Sequence, residues 1–529
     1  MFLKKNLFND RVFLILILFF AIFFNHFSGN RGIFPADSFA FFDSGQRILN
    51  GEFPFKDYWV VSGPFIDYFQ ALLFSLFGIN WQVYILQASI INSLFAIITF
   101  FFLKKLGLNS ISNCFYCICL SLLAYPSSGT PFVDHHSAFL AFFGIFIFIF
   151  GLKENKNIYW FLLPFIFGFA FLSKQVPAAY ILISLLIVLL YNSFFNDKKT
   201  NIKIFSLLLI SSLIFIFLLI LVLNLNGIPI NSFVQQYILY PLSIGQSRVG
   251  SYEINLENFF LKYKLIHIFL IPYFLINILK IFRIKNYYKN FNFFLFLIIF
   301  LSVISLIFHQ LLTKNQNFIF FLIPLLAALI HIEATKIKKK IVIISLIFLL
   351  CFFSTIKYHK RFNLDRKFHE LSYVNFDNTV IAKKIDKKFT GLNWITPDSK
   401  NKFDNLNEVN NLIDVKNLLI EDTRKKMFIS HYAFFSIILN ESLSAPSRWY
   451  PMDGTAFPIK GSKYFENYRN FLKNIITNKN IEVIYITKDM SENIIFNYLN
   501  RDCFEKENIS PYLLSYSLKK SCKDFNSKS

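Results

Sequence analysis

The feature that most constrains this chain is a series of long apolar runs separated by short polar segments. The runs are continuous rather than alternating, which is the pattern of membrane helices and not of barrel strands. With 529 residues of which 55% are hydrophobic, the chain has more apolar surface than a soluble core can hide. We therefore predict a polytopic α-helical membrane protein with about eleven transmembrane helices. The runs are 12–27, 83–103, 112–125, 138–152, 158–172, 178–193, 204–224, 263–280, 291–309, 317–332 and 341–356.

The distribution of basic residues predicts how these helices are oriented. Lysines and arginines cluster in alternate short segments, whereas the opposite short loops carry only Lys174 and Lys314. The positive-inside rule then puts the N-terminus in the cytoplasm and the 28–82 loop, the 225–262 loop and the C-terminal region on the outer face. The first run follows two lysines and has no small-residue cleavage site, so we keep it as a helix. These features predict a multi-pass membrane protein with a cytoplasmic N-terminus.

The net charge of +22 raises the question of nucleic-acid binding. The positive charges lie in short clusters between apolar runs rather than along one polar face, which is the pattern of cytoplasmic loops. We therefore expect no nucleic-acid partner.

The composition changes after residue 356, where apolar runs shorten and polar residues dominate. The segment IEVIYIT has the composition of a buried strand, and it follows the probable helix YFENYRNFLKNIITNK. We predict a membrane domain over 1–356, which includes the outer loop 28–82, and an outer α/β domain over 357–529.

The cysteines agree with an exported C-terminal domain. Cys503 and Cys522 lie in that domain, where a disulfide is plausible, although two free thiols are the alternative. Cys114, Cys117 and Cys119 lie within one apolar run. No second ligand pair accompanies them, so we interpret them as packing residues rather than as a metal or redox site.

The outer loop after the first run is unusually acidic for a chain of this composition. Asp37 follows Pro35 and opens the stretch SFAFFDSGQRIL, which reads as an amphipathic helix beginning at Asp37 or Ser38. Asp37 could therefore be a helix N-cap. A carboxylate at this position beside the membrane could also act as a general base, and both roles could hold together.

Three other acidic residues of this loop have local explanations. Asp43 and Arg47 are four residues apart on the predicted helix, which favours an ion pair between them. Asp57 precedes a turn that returns the chain to the membrane, and it is also a candidate substrate-binding residue. Asp67 begins the short amphipathic run FIDYFQALLFSLFG, which we expect to lie in the membrane interface.

Polar residues also mark the other outer segments. Asp134, His135 and His136 stand at the entrance of a membrane helix and could order a substrate or a metal. Neighbouring histidines cannot put both rings on one helix face, so a metal would need further ligands. An Asp N-cap with interfacial histidines is the structural alternative.

Three cations on the outer side are candidates for binding a phosphate. Lys174 lies between two apolar runs, where a lysine is costly unless it reaches water or meets an anion. Arg248 belongs to a polar and aromatic outer stretch, and Lys314 precedes another helix.

Taken together, these motifs resemble bacterial integral-membrane glycosyltransferases of the GT-C superfamily, the protein O-mannosyltransferase-like and lipid A aminoarabinose transferase-like enzymes. The resemblance covers about residues 1–335. It is carried by Asp37, by the segment from Gly51 to Asp57, by Gly63-Pro64, by Leu76-Phe77-Gly78, and by Gly168, Leu172 and Lys174. One departure is that many relatives have Asp-Glu where this chain has Asp37-Ser38.

The resemblance implies that a sugar is transferred from a polyprenyl-phosphate donor to an acceptor glycan, lipid or protein on the outer face of the bacterial inner membrane, with inversion. Asp37 would deprotonate the acceptor, and Lys174, Arg248 or Lys314 would receive the leaving phosphate. No nucleotide and no certain cofactor is implied, and the missing second carboxylate weakens the case for a divalent metal. The alternatives are a transporter or flippase of envelope glycolipids, or a catalytically inactive partner. Transporters, however, place ionisable residues at the bilayer midplane, whereas these helix interiors are almost free of charge.

Overall fold

The computed structural model describes residues 2–249, 253–313, 319–337, 340–367, 371–398 and 405–522. The chain divides into two compact units. The helical unit comprises Met1–Ser28, Ile85–Leu219 and Arg248–Phe368, and the mixed unit comprises Gly29–Tyr84, Ile220–Ser247 and His369–Ser529. The predicted outer loop and the C-terminal region thus belong to one unit, while the predicted boundary at residues 356 and 357 stays a prediction.

The α-helices alternate between long apolar helices and short loop helices. In chain order they are α1 (Phe2–Gly29), α2 (Pro35–Ser38), α3 (Phe42–Leu49), α4 (Pro64–Phe77), α5 (Trp81–Lys105), α6 (Ser110–Ala124), α7 (Val133–Glu154), α8 (Asn157–Ser173), α9 (Gln175–Ser193), α10 (Lys198–Leu225), α11 (Ile230–Phe233), α12 (Tyr240–Val249), α13 (Lys264–Arg283), α14 (Phe291–Thr313), α15 (Leu322–Ala334), α16 (Lys340–His359), α17 (Asn405–Glu421), α18 (Phe435–Leu439), α19 (Phe465–Asn478) and α20 (Asn493–Phe496). Short π-helical turns follow α11 and α16 and precede α13.

Each predicted apolar run corresponds to one helix, namely α1, α5 to α10, and α13 to α16, although the run at 317–332 begins outside the described residues. Eight described helices are long and apolar enough to cross a membrane, and α4, α6, α8 and α15 are shorter apolar helices. The protein is therefore a multi-pass helical membrane protein, as predicted.

Helix α7 lies at the centre of the helical unit. In the most apolar 18-residue stretch of α7, 83% of the residues are buried, whereas the corresponding share in α10 is 11%. Two glycines let α8 approach α7 closely. A methyl group at Gly144 would overlap the ring of Phe167, and one at Gly151 would lie 3.0 Å from Trp160.

The C-terminal part of the mixed unit contains two sheets. Strands β1 (Val380–Ile381) and β2 (Asn393–Trp394) form an antiparallel pair. Strands β3 (Lys426–Ile429), β4 (Val483–Thr487), β5 (Phe504–Ser510) and β6 (Leu513–Leu518) form a sheet of order β3-β4-β6-β5, in which only β3 and β4 are parallel.

The segments expected to form a helix and a strand become α19 and β4. All five residues of β4 are buried, as the apolar run IEVIYIT predicts. The outer loop contributes to the same core, since the Trp59 ring packs edge-on against Tyr468 of α19 at 5.4 Å. The predicted C-terminal α/β region is therefore confirmed. Cys503 and Cys522 are joined by a disulfide, while Cys114, Cys117 and Cys119 are free and buried.

Candidate functional site

Asp37 lies in a short helix of its own. The expectation of one helix beginning at Asp37 or Ser38 is wrong, because α2 ends at Ser38 and α3 begins at Phe42. Residue Phe34 precedes α2 and Phe41 precedes α3, so Asp37 is the N-cap of neither helix. Asp37 is half-buried in the first turn of α2. Its role as a general base stays a prediction.

Aromatic side chains surround the break between α2 and α3. Phe39 and Phe42 on either side of it are both fully buried. The Phe39 ring lies 4.9 Å from Phe434 and 5.6 Å from Trp81, and the Phe42 ring lies 5.1 Å from Tyr84. The Phe42 ring also lies 5.7 Å from Trp81, so the residues on either side of the break belong to one aromatic cluster.

The predicted ion pair between Asp43 and Arg47 is present, but Arg47 forms a closer ion pair with Glu52. Arg47 Nη1 lies 3.9 Å from Asp43 Oδ2, whereas Arg47 Nε donates to Glu52 Oε2 at 2.8 Å. Burial raises the pKa of Asp43 to about 7 despite the nearby Arg47. Burial also acts to raise the pKa of Glu52, but Arg47 and Lys479 outweigh it and lower that pKa to about 2.

Asp57 holds the turn that the sequence predicts. Its Oδ2 accepts a hydrogen bond from the backbone N–H of Phe53 at 2.9 Å, and its Oδ1 lies 3.8 Å from Lys479 Nζ. These contacts give the Asp57 carboxylate a structural role in the turn. Its proposed contact with substrate stays a prediction.

Asp67 lies in the first turn of α4, whose expected position in the membrane interface stays a prediction. The Asp67 side chain is fully buried, and it forms an ion pair with Arg448 from the C-terminal part of the chain. Ser44 Oγ donates a further hydrogen bond to Asp67 Oδ1 at 2.6 Å. A buried carboxylate needs such partners, because an unpaired buried charge is strongly unfavourable.

The helical unit gathers several of the other candidate residues. Lys174, at the C-terminal end of α8, donates to both carboxylate oxygens of Asp134 in the first turn of α7, at 2.8 Å each. His309 Nε2, near the end of α14, lies 3.6 Å from Asp134 Oδ1. Arg248 is near enough to act electrostatically on the same imidazole. A carboxylate, two cations and a histidine thus share one region of this unit.

Asp134 does not cap α7, because Phe132 precedes the helix and makes no side-chain cap. The two neighbouring histidines are buried and point to different partners. His136 Nδ1 lies 3.0 Å from the carbonyl oxygen of Phe132, whereas the His135 ring packs edge-on against Phe139 at 5.7 Å. Within the described residues, no group of three or more His, Cys, Asp or Glu could hold a metal ion.

The candidate residues lie in both units. The mixed unit contains Asp37 and Asp57, and the helical unit contains Asp134, His135, His136, Lys174 and Arg248. Lys314 lies outside the described residues.

Two charged or titratable residues of these clusters, His309 and Arg448, are not predicted from the sequence. His309 interrupts an apolar run together with Gln310, and this polar pair is a usable signal. Arg448 has no comparable signal, because its carboxylate partner lies 381 positions earlier in the chain.

The fold and these polar clusters define a class: a polytopic membrane protein with an architecture similar to that of ArnT. The crystal structure of ArnT from Cupriavidus metallidurans in the apo state matches with a TM-score of 0.52 at 10% identity, covering 98% of this chain and 99% of that one. The crystal structure of the same protein bound to undecaprenyl phosphate matches with a TM-score of 0.47 at 11% identity, covering 96% and 98%.

A second comparison, made with the sequence alone, matches a shorter part of the chain. Residues 61–221 match the family described as dolichyl-phosphate-mannose-protein mannosyltransferase. No curated protein matches the chain. The resemblance to integral-membrane glycosyltransferases is thus confirmed over residues 61–221 by the family match, and the fold is similar to that of ArnT.

Proposed function

We propose that the protein is a glycosyltransferase that moves a sugar from a polyprenyl-phosphate donor to an acceptor at the outer face of the bacterial inner membrane. The observation that carries the proposal is the match of residues 61–221 to the mannosyltransferase family. The fold shared with ArnT is consistent with it. Alternation of the basic loops supports the cytoplasmic N-terminus and the outer position of the 28–82 loop.

The similar proteins indicate the chemical class of the sugar donor. A dolichyl-phosphate sugar and undecaprenyl phosphate share one chemistry, a long isoprenoid chain on a phosphate. In this chain the lipid tail would lie against the apolar helices. Lys174 and Arg248 in the helical unit are the described cations that we assign to the phosphate.

Asp37 is the general base in this mechanism. It takes a proton from the acceptor hydroxyl or amine while the acceptor atom forms a bond to C1 of the sugar. The bond between C1 and the phosphate oxygen breaks, and its electron pair leaves on polyprenyl phosphate. The attack comes from the opposite side, so the configuration at C1 inverts. The leaving phosphate gains one negative charge, which the cations stabilise.

Asp134 positions Lys174 in this mechanism. The ion pair satisfies the ammonium group in the absence of donor and fixes its location near the end of α8. A phosphate that approaches would share Lys174 with Asp134 rather than meet a flexible side chain, so less conformational entropy is lost on binding.

The test is the Asp37→Asn variant, assayed in membranes with a labelled polyprenyl-phosphate sugar. Loss of a general base typically costs 10²- to 10⁴-fold, so we expect transfer to fall by at least about 100-fold. The matched control is Asp453→Asn, the same change at an exposed site of the mixed unit. Full activity of Asp37→Asn would refute the assignment of the base. Accumulation of the lipid-linked sugar in vesicles without any glycosyl product would favour a transporter instead.

A further inference from the structure

His309 is a buried polar residue that the mechanism above does not use. It lies near the C-terminal end of α14, one of the apolar helices long enough to cross a membrane, and it is only 1% exposed. Its ring packs against that of Tyr180 in α9, with 6.5 Å between the ring centroids. His309 Nε2 has no hydrogen-bond partner among the described residues. A buried polar atom without a partner is costly, so this nitrogen atom needs an explanation.

The neighbouring Gln310 determines which nitrogen atom of the His309 ring carries the proton. Gln310 Nε2 lies 3.1 Å from His309 Nδ1, and an amide nitrogen atom can only donate a hydrogen bond. His309 Nδ1 therefore accepts, and in the neutral imidazole the proton is on Nε2. The group without a partner is thus an N–H group.

This N–H group faces the Asp134 carboxylate. His309 Nε2 lies 3.6 Å from Asp134 Oδ1, just beyond the length of a hydrogen bond. Lys174 Nζ already donates to both oxygen atoms of the same carboxylate, at 2.8 Å each. In this arrangement the lysine satisfies Asp134, and the N–H group of His309 stands beside the pair without a hydrogen bond of its own.

A phosphate bound by Lys174 would change this arrangement. It would draw the ammonium group away from Asp134, whose side chain is only 5% exposed and therefore has little access to water. A buried charge that loses its partner is strongly unfavourable. A shift of about 0.5 Å would bring Asp134 Oδ1 within hydrogen-bond distance of His309 Nε2. The His309 N–H group is therefore placed to replace part of what the lysine withdraws.

We propose that His309 is a positioning residue that acts through Asp134, and that its Nε2–H group binds the carboxylate when Lys174 turns to the phosphate of the sugar donor. The exchange transfers no proton and breaks no covalent bond. It allows one lysine to hold the carboxylate before the phosphate binds and to hold the phosphate afterwards. The proposal rests on the proposed function, because it requires Lys174 to bind the donor phosphate.

The test measures binding rather than transfer, using the full-length protein in detergent and undecaprenyl phosphate as the probe. His309→Leu should weaken binding at least about tenfold, as expected for a hydrogen bond to a charged group. His309→Gln keeps an N–H group of similar reach and should bind within about threefold of the wild type. The matched control is His331→Leu, which removes another buried histidine of the helical unit, one whose Nδ1 lies 3.2 Å from the Tyr116 hydroxyl. This control should leave the affinity unchanged.

A further pair of variants distinguishes action through Asp134 from direct contact with the phosphate. Asp134→Asn removes the negative charge that His309 stabilises and keeps an oxygen atom that can accept from Lys174. Adding His309→Leu to Asp134→Asn should therefore change the affinity by less than about twofold. A second tenfold loss in that background would show that His309 contacts the phosphate itself, and it would overturn the proposal.

Two other outcomes would also overturn it. His309→Leu could lower the thermal stability while the affinity stays unchanged, which is the result expected for a packing role, or His309→Gln could fail to restore binding. If the wild-type protein binds no undecaprenyl phosphate, the proposed function fails together with the role of His309. If the wild-type protein binds this lipid and His309→Leu binds it equally well, only the role of His309 fails.

Discussion

At the scale of the residue, the pairing of Lys174 with Asp134 changes what a single substitution should do. Asp134 is 5% exposed at its side chain and has Lys174 as its close cationic partner in the described structure. Removal of one member of a buried pair leaves an uncompensated charge, which costs roughly 3–5 kcal/mol.

We therefore predict that Lys174→Met lowers the stability of the protein in detergent by about that amount. The double variant Lys174→Met/Asp134→Leu removes both charges and should recover most of the lost stability, because an apolar pair of similar volume is often tolerated. Thermal unfolding of the four proteins, arranged as a double-mutant cycle, measures the coupling. If transfer returned together with stability, Lys174 would not be the cation that binds the phosphate.

The buried acids of the mixed unit predict opposite responses to pH. The pKa of Asp43 is raised to about 7, so its contribution to stability is present below pH 4 and is lost as the pH rises to about 7. Asp67, whose pKa burial raises to about 6, acts in the same direction. Glu52, with its pKa lowered to about 2, contributes stability above about pH 4.5 and loses it as the pH falls towards 2.

The Asp43→Asn variant should therefore flatten the decline in stability between about pH 4 and pH 7 without affecting the acid limb below pH 4. Each pKa unit corresponds to about 1.4 kcal/mol. Denaturation followed at several pH values checks this expectation. An unchanged slope between pH 4 and pH 7 would show that Asp43 ionises normally in the folded protein.

At the scale of the element, the sequence predicts regular structure well and its interruptions poorly. All eleven apolar runs become helices, because hydrophobicity and length act locally. The break at residues 39–41 is surrounded by aromatic partners up to about 400 positions away, such as Phe434, and spacing does not predict such contacts. The burial of Asp67 depends on Arg448 in the same way.

The same distinction applies to the candidate site. The sequence marks Asp134 and Lys174 separately, each by its position at a helix end, and the structure brings them together. That they face each other follows from the packing of α7 against α8, which the glycines at 144 and 151 permit. Composition and spacing carry no information about that contact, since it involves two different elements.

The disulfide between Cys503 and Cys522 ties the start of strand β5 to the residues after β6. Closing a loop of this size contributes about 3 kcal/mol by restricting the unfolded chain. Reduction of the wild-type protein, or the double variant Cys503→Ser/Cys522→Ser, should lower the free energy of unfolding by about that amount. The double variant should not respond further to reductant. A change in the stability of the double variant on adding reductant would show that other cysteines contribute to stability.

At the scale of the whole molecule, the number of crossings decides where the C-terminal part lies. Eight described helices qualify as spans by length and composition. Helices α6, α8 and α15 are shorter, with 15, 17 and 13 residues. These correspond to about 20–26 Å against a hydrocarbon core of about 30 Å. With these three the total is eleven, an odd number, which puts the two ends of the chain on opposite sides. Without them it is eight, and both ends share one side.

We predict that the three short helices cross and that the C-terminus is outside. Lipids can thin locally around short helices at modest cost, and the disulfide requires an oxidising compartment. Alkaline phosphatase, which folds only outside the cytoplasm, should therefore be active when fused at Ser529 and inactive when fused between α9 and α10. The positive-inside pattern gives the same answer independently, because the basic segments 104–111, 153–157 and 194–203 all lie in the cytoplasm only when α6 and α8 cross. Inactivity of both fusions is the result expected for eight crossings, and it would put Asp37 and the C-terminal sheet on different sides of the membrane. Since Asp37 and that sheet belong to one compact unit, such a result would contradict the fold as well as the orientation.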